Sequence, residues 1–209
     1  AGEAALRVCF EELRLSDAAA LRVWPPAERA GPPRAAFELA CVSEVRISSC
    51  PQLTWLPLGV CAMHTMKALV LISDSLSELP AEVGQLAQLT QLFLNGNFLR
   101  AVPEEVGALP VLEEACFDSN QLESLPPFTS PKLVLFTAPA NHLAEMPPLA
   151  GGLDRLEVHG NRLTVLVPPG SLARWDNIKN LKLMGNRLRA LPEARERVRG
   201  KCPQRAAKT

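Results

Sequence analysis

The chain has 209 residues, with 22 basic and 22 acidic side chains and a hydrophobic fraction of 47%. That balance excludes the broad basic footprint of general nucleic-acid binding. No apolar run approaches the roughly 18 residues of a membrane span; the longest, Ala68 to Ile72, fits one buried strand.

In chain order, the first alternating segment is FEELRLSDAAALRVWP, starting at Phe10. A proline-rich stretch, WPPAERAGPPRAAF, overlaps its end. Proline fixes φ and removes a donor, so this stretch is expected to be an irregular surface loop. Residues 1–41 are read as an N-terminal cap holding a degenerate repeat and that insertion. The cap is expected to cover the first exposed edge of a sheet. The next copy, VSEVRISSCPQLTWLP, starts at Val42, with one residue inserted before Leu53. The Phe10 copy has the same insertion before Leu21. Full copies start at Met66, Leu89 and Leu112, each 23 residues after the last. Shorter or longer copies start at Leu133, Leu153 and Ile178. Residues 42–192 therefore read as one stack of similar units, a solenoid. Residues 193–209 carry six basic and two acidic side chains and read as a solvated tail. Docking onto an acidic partner or anionic membrane is the alternative for that tail. A short helix over the last repeat is expected from Glu193.

The shared phrase is L-x-x-L-x-L-x-x-N-x-L-x-x-L-P, clearest in LTQLFLNGNFLRAVP from Leu89 to Pro103. It resembles the leucine-rich repeat family over residues 10–192. The segments AEVGQLAQL and EEVGALPVL follow Pro80 and Pro103. Their form, L-P-x-x-V-G-x-L, resembles the intracellular Ras-scaffold and plant Ras-group subclass. After Leu133 the repeats shorten, Ala138 replaces a core leucine and Pro139 enters the strand region, so that half is more similar to the bacterial type. The resemblance implies an α/β solenoid of horseshoe form, with a curved parallel β-sheet on the concave face and irregular or 3₁₀ turns on the convex face.

Residue chemistry gives the same architecture. Leu-x-Leu alternation puts Leu69 and Leu71, Leu92 and Leu94, Leu156 and Val158, and Leu181 and Leu183 on one face of a strand. Short, proline-rich crossovers favour turns over long helices. Asn97, Asn120, Asn141, Asn161 and Asn186 form a column, with Asp74 and Cys50 as variants. A buried amide both donates and accepts, so the column is expected to pair with backbone groups where the strands bend inward.

Cys9, Cys41, Cys50, Cys61, Cys116 and Cys202 match no zinc spacing and no clustered cap. All six are read as reduced, which suits an intracellular, cytoplasmic protein; an organellar interior after loss of a transit peptide is the alternative. Oxidation of N-terminal pairs stays open. No catalytic constellation is expected, since His64, His142 and His159 fall in different repeats and Cys116 has acidic neighbours. No cofactor or metal site is expected.

The outward strand places are the expected partner-binding face. Val70, Ile72, Phe93 and Leu135 are expected to form an apolar patch, beside an acidic cluster of Glu113, Glu114 and Asp118. The chain is read as a non-catalytic scaffold for protein partners, in signalling. Its alternatives are a subunit of a large, organellar complex and the targeting part of a larger enzyme.

Overall fold

The computed structural model describes residues 12–15, 42–51, 53–56, 58–166 and 177–189. Among them, eight strands form one parallel sheet in strict chain order. The strands are β1 (Glu12–Leu15), β2 (Glu44–Ser48), β3 (Ala68–Ile72), β4 (Gln91–Phe93), β5 (Glu114–Cys116), β6 (Leu135–Thr137), β7 (Arg155–Glu157) and β8 (Asn180–Lys182). Each strand pairs only with its neighbours in sequence, so every repeat is one turn of a spiral. The β1–β2 pairing aligns Leu13 with Val45 and Leu15 with Ile47, which puts a strand of the Phe10 copy in register with the rest. The proline-rich insertion and the tail from Glu193 lie outside the described residues.

Alternation sets the core. Val45, Leu69, Leu92, Ala115, Phe136 and Leu156 share one inward row by register and are all fully buried. Two rungs break the leucine pattern in a complementary way. Ala115 and Phe117 in one repeat face Phe136 and Ala138 in the next, so large and small side chains exchange rows. Phe117, Phe128 and Phe136 then meet with ring centroids 5.3–6.0 Å apart. Tilted and edge-on ring contacts of this kind fill volume that alanine leaves.

The crossovers differ along the stack. Leu58–Cys61 and Glu104–Gly107 are single α-turns, and Ala81–Gln85 is a 3₁₀ turn. Pro80 and Pro103 stand immediately before two of them in extended conformation, where a missing N–H costs nothing. Neighbouring crossovers approach so closely that a Cβ on Gly107 would run into the Pro127 carbonyl oxygen. From Pro126 onward the crossover is extended, and Phe128 bridges Leu149 in parallel.

One backbone device recurs. The residue before each column position has positive φ: Ser49, Ser73, Gly96, Ser119, Ala140, Gly160 and Gly185, all between 53° and 69°. This left-handed residue turns the chain out of the strand. Its N–H still reaches the next repeat, as in Gly96 to Asp118 at 2.8 Å and Ala140 to His159 at 2.9 Å. Glycine meets the conformation without strain, whereas serine and alanine adopt it at a cost of about 1–2 kcal/mol.

Candidate partner-binding face

Directly behind that turn, the amide column ties the repeats together. Asn97, Asn120, Asn141 and Asn161 are buried, at 4–6% exposure. Each Oδ1 accepts a backbone N–H of the preceding repeat: Leu76 to Asn97 at 3.2 Å, Leu99 to Asn120 at 3.1 Å, Leu122 to Asn141 at 3.0 Å and Leu143 to Asn161 at 3.0 Å. Each Nδ2 donates to two carbonyls in its own repeat and to one in the repeat before. Asn120 takes Phe117 at 3.1 Å and Leu94 at 2.8 Å. Asn141 takes Ala138 at 3.2 Å and Phe117 at 2.9 Å. The carbonyls of Leu94, Phe117, Ala138 and Val158 thus each accept from two successive asparagines. Asn186 repeats the pattern, half-buried. The column bonds each repeat to the one before it from the inward side of the sheet.

On that face the register aligns Arg46, Val70, Phe93, Cys116, Thr137, Glu157 and Lys182 in one row. Ile72, Phe93 and Leu135 are half-buried, as are Glu113, Glu114 and Asp118. Val70 differs from expectation: it points outward but is only 3% exposed. Its short branched side chain stands between the longer Arg46 and Phe93 across the sheet, with Ile72 beside it. The continuous exposed apolar patch is therefore a row of partly covered side chains. Among the described residues, the large apolar side chains most open to solvent are instead Trp55, Phe98, Val134, Val165, Leu181 and Met184.

The sequence reading missed the polar rungs. Thr137 donates from Oγ1 to Asp118 Oδ1 at 2.5 Å. Burial raises the Asp118 pKa against the lowering effect of that bond, and Glu157 nearby raises it further. Glu157 in turn accepts from Lys182 at 3.1 Å and from Asn180 at 3.3 Å. Lys179 meets Asp154 at 2.8 Å. Both charge pairs join equivalent places of successive repeats, so opposite charges in one column were the available signal. Pro139 is tolerated between these rungs for a local reason. The equivalent N–H one repeat earlier, on Asp118, goes to the Asn95 side chain at 3.1 Å, so no ladder bond needs it.

Burial pushes the Cys116 thiol up to about 12, with Asp118 and Glu114 adding to the shift and the Thr137 bond opposing it. Cys61 is pushed to about 12 by burial first and Glu82 second. Neither is a thiolate nucleophile near neutral pH. His64, His142 and His159 lie in separate repeats, with His64 and His142 exposed. No group of three or more His, Cys, Asp or Glu among the described residues could hold a metal ion. No helix among them is long and apolar enough to cross a membrane.

No family model matches the sequence, and no curated protein matches it. Solved structures do share the architecture. The leucine-rich repeat domain of the type III effector XopL superposes with a TM-score of 0.56 at 18% identity, covering 87% of this chain and 70% of that one. A leucine-rich repeat protein of Leptospira interrogans gives 0.53 at 24% identity, covering 77% and 53%. The functional domain of InlJ from Listeria monocytogenes gives 0.55 at 18%, covering 75% and 38%. The chain spans about half the length of the Leptospira structure it matches. These likenesses define the class: the chain has the leucine-rich-repeat fold, a parallel-strand solenoid.

Proposed function

We propose that this chain is a non-catalytic protein–protein interaction module, with a partner docking across the outward, concave face of β3–β6. The carrying observation is that face itself. It sets Ile72, Phe93 and Leu135, partly exposed, beside Glu113 and Glu114, which form no ion pair among the described residues. Apolar anchors supply affinity and the carboxylates favour a partner with basic groups. Two structures of similar fold carry partners. One is an octameric complex of latrophilin 3, Unc5D and FLRT2, whose leucine-rich repeat component is FLRT2. The other is the plant peptide hormone receptor RGFR1 with RGF2. The horseshoe curvature, a cap at 1–41 and a basic tail at 193–209 belong to the same proposal. The L-P-x-x-V-G-x-L segments support a signalling scaffold in the cytoplasm.

Crosslinking mass spectrometry in native lysate tests the reading, with Phe93→Glu as the disrupting variant. Partner crosslinks are expected on β3–β6 and are expected to fall at least tenfold in the variant. Crosslinks confined to other faces, with all partners retained by the variant, would refute it.

A second reading, a subunit of a large assembly, is favoured by one observation. Leu181 sits in the inward row yet is 45% exposed, and Met184, three residues on, is 69% exposed. Recovery only in a megadalton fraction on size exclusion supports this reading, and a monomer with exchangeable partners opposes it.

A further inference from the structure

Asp74 stands where four later repeats bury an asparagine, and it is only 4% exposed. Its Oδ1 does the work of the amide oxygen, accepting the Cys50 N–H at 2.8 Å. Its Oδ2 is buried and no donor reaches it. In the following repeat the equivalent atom is Nδ2 of Asn97, which donates to the carbonyls of Leu71 at 2.9 Å and Leu94 at 3.0 Å. One repeat earlier, register makes the equivalent carbonyls those of Ile47 and Leu71. An ionised Oδ2 set against carbonyl oxygens has only acceptors to face. A protonated one has a carbonyl to donate to.

We infer that Asp74 carries a proton in the folded protein and donates it from Oδ2 to a strand carbonyl, so that a titratable acid fills an amide's place and the β2–β3 junction weakens as pH rises. Burial, the leading influence on this carboxyl, acts in the same direction, and the Cys50 N–H opposes it. The column neighbour in the preceding repeat is Cys50, whose N–H meets Asp74 and whose thiol bonds the Ser48 carbonyl, and the following repeat presents the uncharged Asn97. No charged side chain contributes to the shift. An acid held above its unfolded value of 3.8 contributes stability that is complete below that pH and lost as pH rises through the folded value.

The device is local. Among the described residues Asp74 is the one carboxylate in a column otherwise made of amides and a cysteine, so rising pH loosens one seam of the stack and leaves the other rungs intact. That seam joins β2 to β3, the strand carrying Val70 and Ile72.

Urea unfolding of the full chain and of Asp74→Asn between pH 4 and pH 8 provides the test. The variant is expected to be the more stable at pH 7, its folding equilibrium constant larger by about tenfold for each unit by which the folded Asp74 carboxyl titrates above its unfolded value. The gap is expected to shrink on acidification toward pH 4. Comparing the two proteins cancels Asp118, whose pKa is also raised and which titrates in both. A variant no more stable at pH 7, or a gap that stays flat with pH, would overturn the inference. Carbon-13 titration of the Asp74 carboxyl gives a second readout that does not depend on the variant. A midpoint well above 3.8 supports the assignment, and one at or below it overturns it.

Discussion

Asn120→Ala removes one amide from the middle of the column, and the hydrogen bonds around it set the cost. The Leu99 N–H loses its acceptor at 3.1 Å. The carbonyls of Leu94, Phe117 and Asp118 lose donors at 2.8, 3.1 and 3.3 Å. All three keep a second donor, Asn97 at 3.0 Å, Asn141 at 2.9 Å and the Gly96 N–H at 2.8 Å. One buried donor is therefore orphaned, costing about 1–3 kcal/mol, and three shared bonds are lost at about 0.5 kcal/mol each. The expected total is roughly 2.5–4.5 kcal/mol. Asn186→Ala removes the corresponding bonds where the side chain is only half-buried, so water can replace them in part and the loss falls to about 1 kcal/mol. Urea titration followed by circular dichroism measures both, with an unchanged slope showing that the stack still unfolds as a unit. Equal losses at the two sites would refute the ladder argument. So would a loss below about 0.5 kcal/mol at Asn120, since an orphaned buried donor cannot be that cheap.

Two further outcomes follow from the left-handed turn and the buried thiols. Ala140 holds φ at 53°, so Ala140→Gly relieves about 1–2 kcal/mol of strain against about 0.4–1 kcal/mol of added unfolded-chain entropy, a net gain near 0.5–1 kcal/mol. Gly160 at φ 68° gives the reverse: Gly160→Ala is expected to lose about 1 kcal/mol, and thermal unfolding of the pair checks both signs. With a pKa of about 12, Cys116 is thiolate in about one molecule in ten thousand at pH 8, against about a quarter for a free cysteine. Peptide mapping after iodoacetamide is expected to find Cys61 and Cys116 unmodified in the folded protein and fully labelled in urea.

Directions were legible in the sequence, and cover was not. A period of two places Leu92 inward and Phe93 outward whatever surrounds them, and the phrase repeats often enough to align the strands. Val70 shows the limit. Its direction follows from alternation, but its burial depends on the lengths of Arg46 and Phe93, which become neighbours only through register. Ala138 reads as a defect in its own repeat. It becomes a fit once Phe117 is aligned beside it from the repeat before. The Thr137–Asp118 bond spans 19 residues and two unlike side chains, so no single-repeat motif announces it. Glycine marks the left-handed turn at Gly96, Gly160 and Gly185, whereas no residue type marks it at Ser49, Ser73, Ser119 and Ala140, where the next repeat enforces a conformation the residue does not prefer.

That contrast separates two kinds of constraint. Inward rows, amides and turns are each held by a neighbour in the next coil, so a substitution there is felt one repeat away. Outward places answer chiefly to whatever lies across the sheet. Glu157 with Lys182 and Thr137 with Asp118 are coupled in pairs along the stack axis. A surface built from such short pairs tolerates exchange of one rung without refolding the rest, because surface ion pairs contribute little to stability. This independence is what lets Phe93→Glu act as a clean probe of binding: Phe93 lies in the outward row, Leu92 and Leu94 on either side remain in the core, and the Asn97 bonds that hold the repeat do not involve it.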